Sequence, residues 1–217
     1  MYLGKIQRMT VSVGIVDYQM GNLRSVQKGI ERTGNIATIS SNPTELAKHT
    51  HLILPGVGAF GDAMNELNRR DLVSFIKDWA GSGKPFLGIC LGMQLLMDSS
   101  SEGGQHEGLG ILSGKVLRFE QPVGKSPMKI PHMGWNQISS TIPSDPMFDG
   151  LPDRPYVYFV HSYYVVPQNP SDVWLQADYG DLFCAGVKRN NIMATQFHPE
   201  KSQKEGLHLL ANWCKQR

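Results

Sequence analysis

One stretch constrains this chain more than any other: Lys84-Pro85-Phe86-Leu87-Gly88-Ile89-Cys90-Leu91-Gly92-Met93-Gln94. Pro85 opens an apolar run that ends at Cys90, and Leu91, Met93, Leu95, Leu96 and Met97 continue at helical spacing. A short buried strand running straight into a helix leaves one residue at the corner, here Cys90. Gly88 and Gly92 flank it two residues away on each side. This is the pattern of a nucleophile elbow with sulfur in place of a hydroxyl. A side chain on so tight a turn stands clear of the sheet, and only small neighbours leave room for the turn and a reactant. The N–H groups opening the next helix favour a thiolate. A buried structural cysteine satisfies the same pattern, because free Cys is among the most buried residue types. G-x-C-x-G alone leaves both readings open.

The flanking sequence supplies a fold. Residues 11–16 read as a strand ending at Asp17, followed by a helix with Leu23, Val26 and Ile30 on one face. Gly34 sits where a helix C-terminus favours glycine. Strands over 36–39 and 52–54 alternate with a short helical piece opened by Asn42-Pro43-Thr44 and a longer helix over about 61–80. Gly81-Ser82-Gly83 ends that helix before the Cys90 strand. The alternation predicts an α/β fold: an open, mostly parallel central sheet with helices on both faces, flavodoxin-like. Residues 99–108 read as a polar loop. Strands over 111–119 and 128–138, with Pro122 and Pro127 between them, open an added antiparallel region. Aromatic and β-branched runs over 156–160, 163–166, 173–177, 183–188 and 192–197 continue it. A last helix over 205–215 carries Leu207, Leu210, Ala211 and Cys214 on one side. With no repeat and no linker, the expectation is a single domain over 1–217, with 1–10 an N-terminal extension.

Composition narrows the partners. Lys plus Arg number 21 against 19 acids, a formal charge of +2, too balanced for nucleic acid or an anionic membrane. No apolar run approaches the ~20 residues of a membrane span, and no signal-peptide pattern opens the chain. Three widely spaced cysteines, Cys90, Cys184 and Cys214, point to reduced thiols and a cytoplasmic setting.

Two further motifs bear on chemistry. Gly56-Val57-Gly58-Ala59-Phe60-Gly61 matches G-x-G-x-x-G after a strand, but a dinucleotide site wants an acid at the end of the next strand, and that strand ends in Cys90. These glycines serve better by turning N–H groups toward an oxyanion beside the sulfur. In Phe197-His198-Pro199-Glu200, Pro199 keeps His198 extended, and strand alternation puts His198 and Glu200 on one side. Thiol, base and orienting acid then form a Cys–His–Glu set. His49 and His51 lack metal-ligand spacing, so no metal and no cofactor are expected. His132 and His161 read equally as satisfied core residues or as site walls.

Together these stretches resemble class I glutamine amidotransferases, over nearly the whole chain from Gly14 to the last helix. Gly88 to Gln94 looks like the family's nucleophile motif, and Phe197 to Glu200 like its base-and-acid motif. Asp17-Tyr18-Gln19-Met20-Gly21-Asn22-Leu23, Pro55 to Gly58, Pro131-His132-Met133-Gly134-Trp135-Asn136 and Tyr158 to Tyr163 resemble one branch, the glutaminase subunits of imidazole glycerol phosphate synthase in histidine biosynthesis. The resemblance implies glutamine as substrate and Cys90, His198 and Glu200 as catalytic residues. It implies an oxyanion hole from Val57, Gly58 and Leu91, and glutamine held by Gly58, Gln94, Ser162 and Tyr163. It also implies a heterodimer with a (β/α)8-barrel cyclase that takes ammonia through an internal channel. The candidates for the partner-facing rim are Asn22, Tyr158, His161 and Lys201. Where many amidotransferases have Pro-Gly-Gly-Gly, this chain has Val57 between glycines. A β-branched residue resists φ > 0, so the expectation is an oxyanion N–H misdirected until partner and acceptor drive a peptide flip. The competing readings are a sister subunit serving anthranilate or aminodeoxychorismate synthesis, and a non-catalytic interaction subunit.

Overall fold

A computed structural model describes residues 10–121 and 127–217. The expected extension over 1–10, except Thr10, and the turn residue Pro122 lie outside the described residues. In chain order the elements are β1 (Ser12–Val16), α1 (Leu23–Arg32), β2 (Ile36–Ser40), α2 (Pro43–Leu46), β3 (His51–Leu54), α3 (Phe60–Arg69), α4 (Leu72–Gly81), β4 (Phe86–Ile89) and α5 (Leu91–Leu95). The second half adds β5 (Ser99–Ser100), β6 (His106–Glu107), β7 (Gly114–Arg118), β8 (His132–Gln137), β9 (Ser139–Ser140), β10 (Tyr156–His161) and β11 (Tyr163–Pro167). It closes with β12 (Val173–Tyr179), β13 (Asp181–Arg189), β14 (Ile192–Thr195) and α6 (Gln203–Trp213).

The parallel core runs β2-β1-β3-β4-β14 in space. Beyond β14 the sheet turns antiparallel through β13, β11 and β7, with β12 also on β13, while β8 and β10 form a separate pair. Strand alternation sorts the core into two layers. Leu52, Leu54 and Phe86 pack with Phe60, Leu67, Ile76 and Trp79 of α3 and α4. Ile53, Leu87 and Ile89 pack with Val26 and Ile30 of α1 and Leu209, Leu210 and Trp213 of α6. Helices cover both faces, as expected of a largely parallel sheet. Among the described residues, no helix is long and apolar enough to cross a membrane.

Three local expectations are corrected. The helix anticipated over 61–80 is two helices, broken where Asp71 takes φ 55° and ψ 29°. The apolar stripe explains the break. Phe60, Ala63, Met64 and Leu67 are buried, and an unbroken helix would bring Asp71 inward next; the left-handed residue resets the phase so that Leu72 and Ile76 are buried instead. The loop over 99–108 contains the short pair β5 and β6. In α6 the buried stripe includes Leu209 and Trp213, whereas Leu207 and Ala211 are half-buried.

The corner after β4 depends on close backbone approach. A Cβ on Gly92 would lie 1.8 Å from the Leu54 carbonyl oxygen, and one on Gly88 would lie 2.9 Å from the Gly92 oxygen. Neither contact involves a flexible side chain that could move aside. Gly92→Ala is therefore expected to cost at least about 2 kcal/mol, read as a lower urea midpoint with unchanged slope; an unaltered midpoint would contradict this packing.

Candidate active site

Three loops leave the same edge of the sheet side by side because their strands are neighbours. β4 pairs with β3 on one side and β14 on the other, with Gly88 opposite Leu54 and Ile89 opposite Thr195. Residues 55–58, Cys90 and residues 196–200 are thus adjacent in space despite their separation in sequence. Binding sites in open α/β sheets lie at this carboxyl edge.

Cys90 is 6% exposed and sits at φ 55°, ψ −110°, conformations an L-residue holds only when its surroundings impose them. Its N–H donates to the Thr195 carbonyl at 2.7 Å, and its own carbonyl accepts from Met93 N–H to start α5. That helix spans only Leu91–Leu95, shorter than the apolar spacing suggested, so it offers the sulfur no long dipole.

His198 and Glu200 come together by a route other than strand alternation. β14 ends at Thr195, and Pro199–Lys201 form a 3-10 turn that folds Glu200 back under the imidazole. The Nδ1–Oε1 distance is 2.8 Å, with both side chains almost fully buried. Among the described residues the remaining nitrogen, Nε2, makes no hydrogen bond of ordinary geometry. Burial alone would lower the His198 pKa. The interactions with Cys90 and Glu200 outweigh it and push the pKa up to about 9. The turn is anchored to β10: His198 N–H donates to the Tyr158 carbonyl, Tyr158 N–H donates to Ser202 Oγ, and that hydroxyl donates to the His198 carbonyl.

A cavity of about 400 Å³ opens on the sulfur, lined by Val57, Gly58, Leu91, Gln94, Ser162 and Tyr163, the residues named above for the oxyanion hole and for glutamine, and also by Glu102, Pro131, Val160 and His161. A larger cavity of about 960 Å³ lies at the opposite edge, by Val11, Thr50 and Pro85, far from Cys90. Gly58 has φ +108°, which its missing Cβ permits; Val57, 38% exposed, is not among the left-handed residues. Gln94 Nε2 donates to the Tyr163 carbonyl at 3.1 Å and to Gln196 Oε1 at 3.0 Å.

Sequence reasoning missed several of these groups. Tyr18 is fully buried and donates to the Pro55 carbonyl at 2.7 Å, fixing the root of the 55–58 loop. Burial, and then the charge of Cys90, raise its pKa far beyond the ordinary phenol value, so it stays a neutral donor. Glu102 Oε2 accepts from Phe60 N–H while the carboxylate borders the cavity; only fold geometry brings it there. Gln196 adjoins the recognised His198 motif but carried no signal of its own.

His132 and His161 are core residues and wall at once. His161 Nδ1–H donates to the Tyr163 carbonyl, so its Nε2 accepts from His132 Nδ1–H, and His132 Nε2 accepts from Asn136. Burial pushes them down to about 4 and 3 respectively, keeping both neutral near neutral pH. At 6% exposure His161 faces the cavity and interior rather than the outer rim where it was expected. Of the other rim candidates, Asn22 is exposed and caps α1 through Ser25 N–H, and Tyr158 and Lys201 are half-buried. Among the described residues no cluster of three or more His, Cys, Asp or Glu could hold a metal.

Because the folded His198 pKa lies above the ordinary 6.5, its contacts stabilise the fold fully below about pH 6.5, and that contribution is lost as pH rises through about 9. The imidazole should titrate near 9 by NMR, and Glu200→Gln should lower the midpoint and flatten the stability loss over this window. A midpoint unchanged in the variant would contradict the pairing.

Comparison with known proteins places the chain. Residues 14–216 match the family described as Glutamine amidotransferase class-I. Imidazole glycerol phosphate synthase subunit HisH of Rhodopirellula baltica is 56% identical over 202 residues, covering 93% of this chain and 96% of that one. The protein of the same name from Aquifex aeolicus is 50% identical over 200 residues, covering 92% and 94%. In three dimensions, the structure of PurLQS from Thermotoga maritima matches with a TM-score of 0.70 at 20% identity, over 94% of this chain and 97% of that one. The chain belongs to the class-I glutamine amidotransferases and, among them, to the HisH subunits of imidazole glycerol phosphate synthase.

Proposed function

We propose that this chain is a single-domain, cytoplasmic glutaminase subunit in which Cys90, His198 and Glu200 release ammonia for a (β/α)8-barrel cyclase. As a HisH-family member it serves histidine biosynthesis as the glutamine amidotransferase subunit of imidazole glycerol phosphate synthase. The observation that carries the residue roles is the positive-φ corner that sets the Cys90 sulfur in a cavity, next to the β14 loop whose imidazole interacts with the sulfur and is tied to a buried carboxylate. All three cysteines are free and buried, which suits a reducing compartment.

The sulfur of Cys90 attacks the side-chain carboxamide carbon of glutamine. The oxyanion that forms lies between N–H groups at Val57 to Gly58 and at Leu91. Protonated His198 gives its proton to the departing nitrogen, ammonia leaves, and a thioester remains. Neutral His198 then takes a proton from water, whose oxygen attacks the thioester; the carbon–sulfur bond breaks and glutamate departs. Glu200 holds the imidazole throughout. With both Gln94 N–H bonds spent on Tyr163 and Gln196, its Oε1 is the atom left for substrate, alongside backbone at Gly58, Ser162 and Tyr163. Glu102, the carboxylate bordering the cavity, suits the α-ammonium of glutamine.

The partner face follows from exposure. On the β8–β10 pair, Met133, Trp135 and Tyr156 are exposed, Trp135 lies against Tyr158, and Pro131 and Val160 carry the surface to the cavity mouth. This apolar face is where the cyclase docks, with Lys201 on the turn that packs against β10 and Asn22 at the start of α1 as further rim candidates. Such a partner sits directly over the hydrogen bonds that tie Tyr158 to His198.

The test is glutamine hydrolysis with and without a barrel cyclase and its ligand. Activity should rise strongly in the complex and vanish in Cys90→Ser; turnover surviving that substitution would refute the assignment, and no turnover in any complex would favour the non-catalytic reading. Val57→Gly should raise partner-free hydrolysis by roughly tenfold, as release of ~1–3 kcal/mol of backbone resistance implies. An unchanged basal rate would leave Val57 a packing residue.

A further inference from the structure

The Cys90 sulfur has a second polar neighbour besides His198. Gln196 Nε2 lies 3.7 Å from Sγ, within range for an N–H donor to sulfur. Gln196 is 0% exposed, so its amide cannot turn to water. Gln94 Nε2 donates to Gln196 Oε1, which fixes the orientation of that amide and aims its N–H groups at the sulfur side. The backbone is equally fixed, since Gln196 N–H donates to the Ala185 carbonyl at 2.8 Å. A carboxamide buried without exposure, oriented by a residue of the glutamine cavity and directed at the reacting atom, has more than a packing role.

We propose that Gln196 is a further catalytic residue, whose side-chain N–H holds negative charge on the Cys90 sulfur and whose carbonyl is anchored by Gln94. The inference rests on Cys90 being the nucleophile. A donor to sulfur favours the thiolate over the thiol before attack. It acts again in the second half-reaction. When water attacks the thioester, its proton passes to His198, the carbon–sulfur bond breaks, and the bonding pair returns to sulfur as thiolate. Gln196 stabilises that leaving group. The Gln94–Gln196 bond also joins the substrate cavity to the nucleophile, so a glutamine that engages Gln94 is felt at the sulfur through one intervening amide.

The same chain extends outward. Gln94 and His161 donate to one carbonyl, that of Tyr163, and His161 is hydrogen-bonded to His132, which accepts from Asn136 on β8. The polar path from the nucleophile therefore reaches the two-stranded sheet whose outer face is exposed.

The experiment measures alkylation of Cys90 by iodoacetamide in the full-length chain from pH 6 to 10, with the labelled residue identified by mass spectrometry. Gln196→Met keeps the volume and removes both polar atoms. Its rate profile should move about one unit to higher pH, leaving the rate at pH 7 roughly tenfold slower. A purely structural Gln196 would lower thermal stability and turnover but leave the alkylation profile in place, and that result overturns the proposal. If Gln196→Met does not fold, Gln94→Leu, which frees the Gln196 amide, should slow alkylation roughly threefold; no change there also overturns it. Wild-type Cys90 that resists alkylation, or that glutamine does not protect, would instead overturn the nucleophile assignment itself and this inference with it.

Discussion

The fold is arranged so that one peptide corner can exist. Cys90 occupies a backbone conformation that costs ~1–3 kcal/mol for a residue with a Cβ, and its neighbours hold it there. Its N–H is bonded to the Thr195 carbonyl, and Gly92 packs against the Leu54 carbonyl closely enough to exclude any side chain. Those two carbonyls belong to the strands on either side of β4. The parallel ladder that ends at the corner therefore also delivers its chemical neighbours, residues 55–58 from β3 and residues 196–200 from β14. The local strain is balanced by two layers of buried side chains, one on each face of the same strands.

Burial then decides which groups near the sulfur carry charge. Tyr18, His132 and His161 are all pushed toward their neutral forms, each chiefly by desolvation. His198 alone moves the other way, because Glu200 and Cys90 offer it opposite charge in a poorly solvated site. An imidazole of this kind keeps a proton available at neutral pH for a leaving nitrogen. The neutral histidines beside it donate and accept in fixed directions, which orders the cavity wall without adding a competing charge.

Much of this was legible in the sequence, for identifiable reasons. The apolar strand, the two small residues and the helical spacing after Cys90 are local signals, and the corner they imply is present. The pairing of His198 with Glu200 was also visible, although a 3-10 turn after Pro199 makes it rather than strand alternation. The interruption between α3 and α4 lay in the one-residue shift of the apolar stripe from Leu67 to Leu72, a phase change that a count of apolar residues does not weigh. Glu102, Tyr18 and Gln196 could not be found this way. Each reaches the site through strand pairing or burial that joins distant segments; Tyr18 lay inside a recognised stretch and Gln196 beside one, but nothing in the sequence marked either as a site residue. His161 ends β10, a position that suits the rim, but its ring is drawn inward by the Tyr163 carbonyl and by His132.

The central claim is that one sulfur at this corner forms the covalent bond to the substrate acyl group. It is tested most directly by incubating the cyclase complex with a diazoketone analogue of glutamine and mapping the adduct by peptide mass spectrometry. A single adduct on Cys90, prevented by glutamine and absent when His198 is replaced by alanine, is the expected result. An adduct on Cys184 or Cys214, or stoichiometric inactivation with Cys90 unmodified, would contradict it.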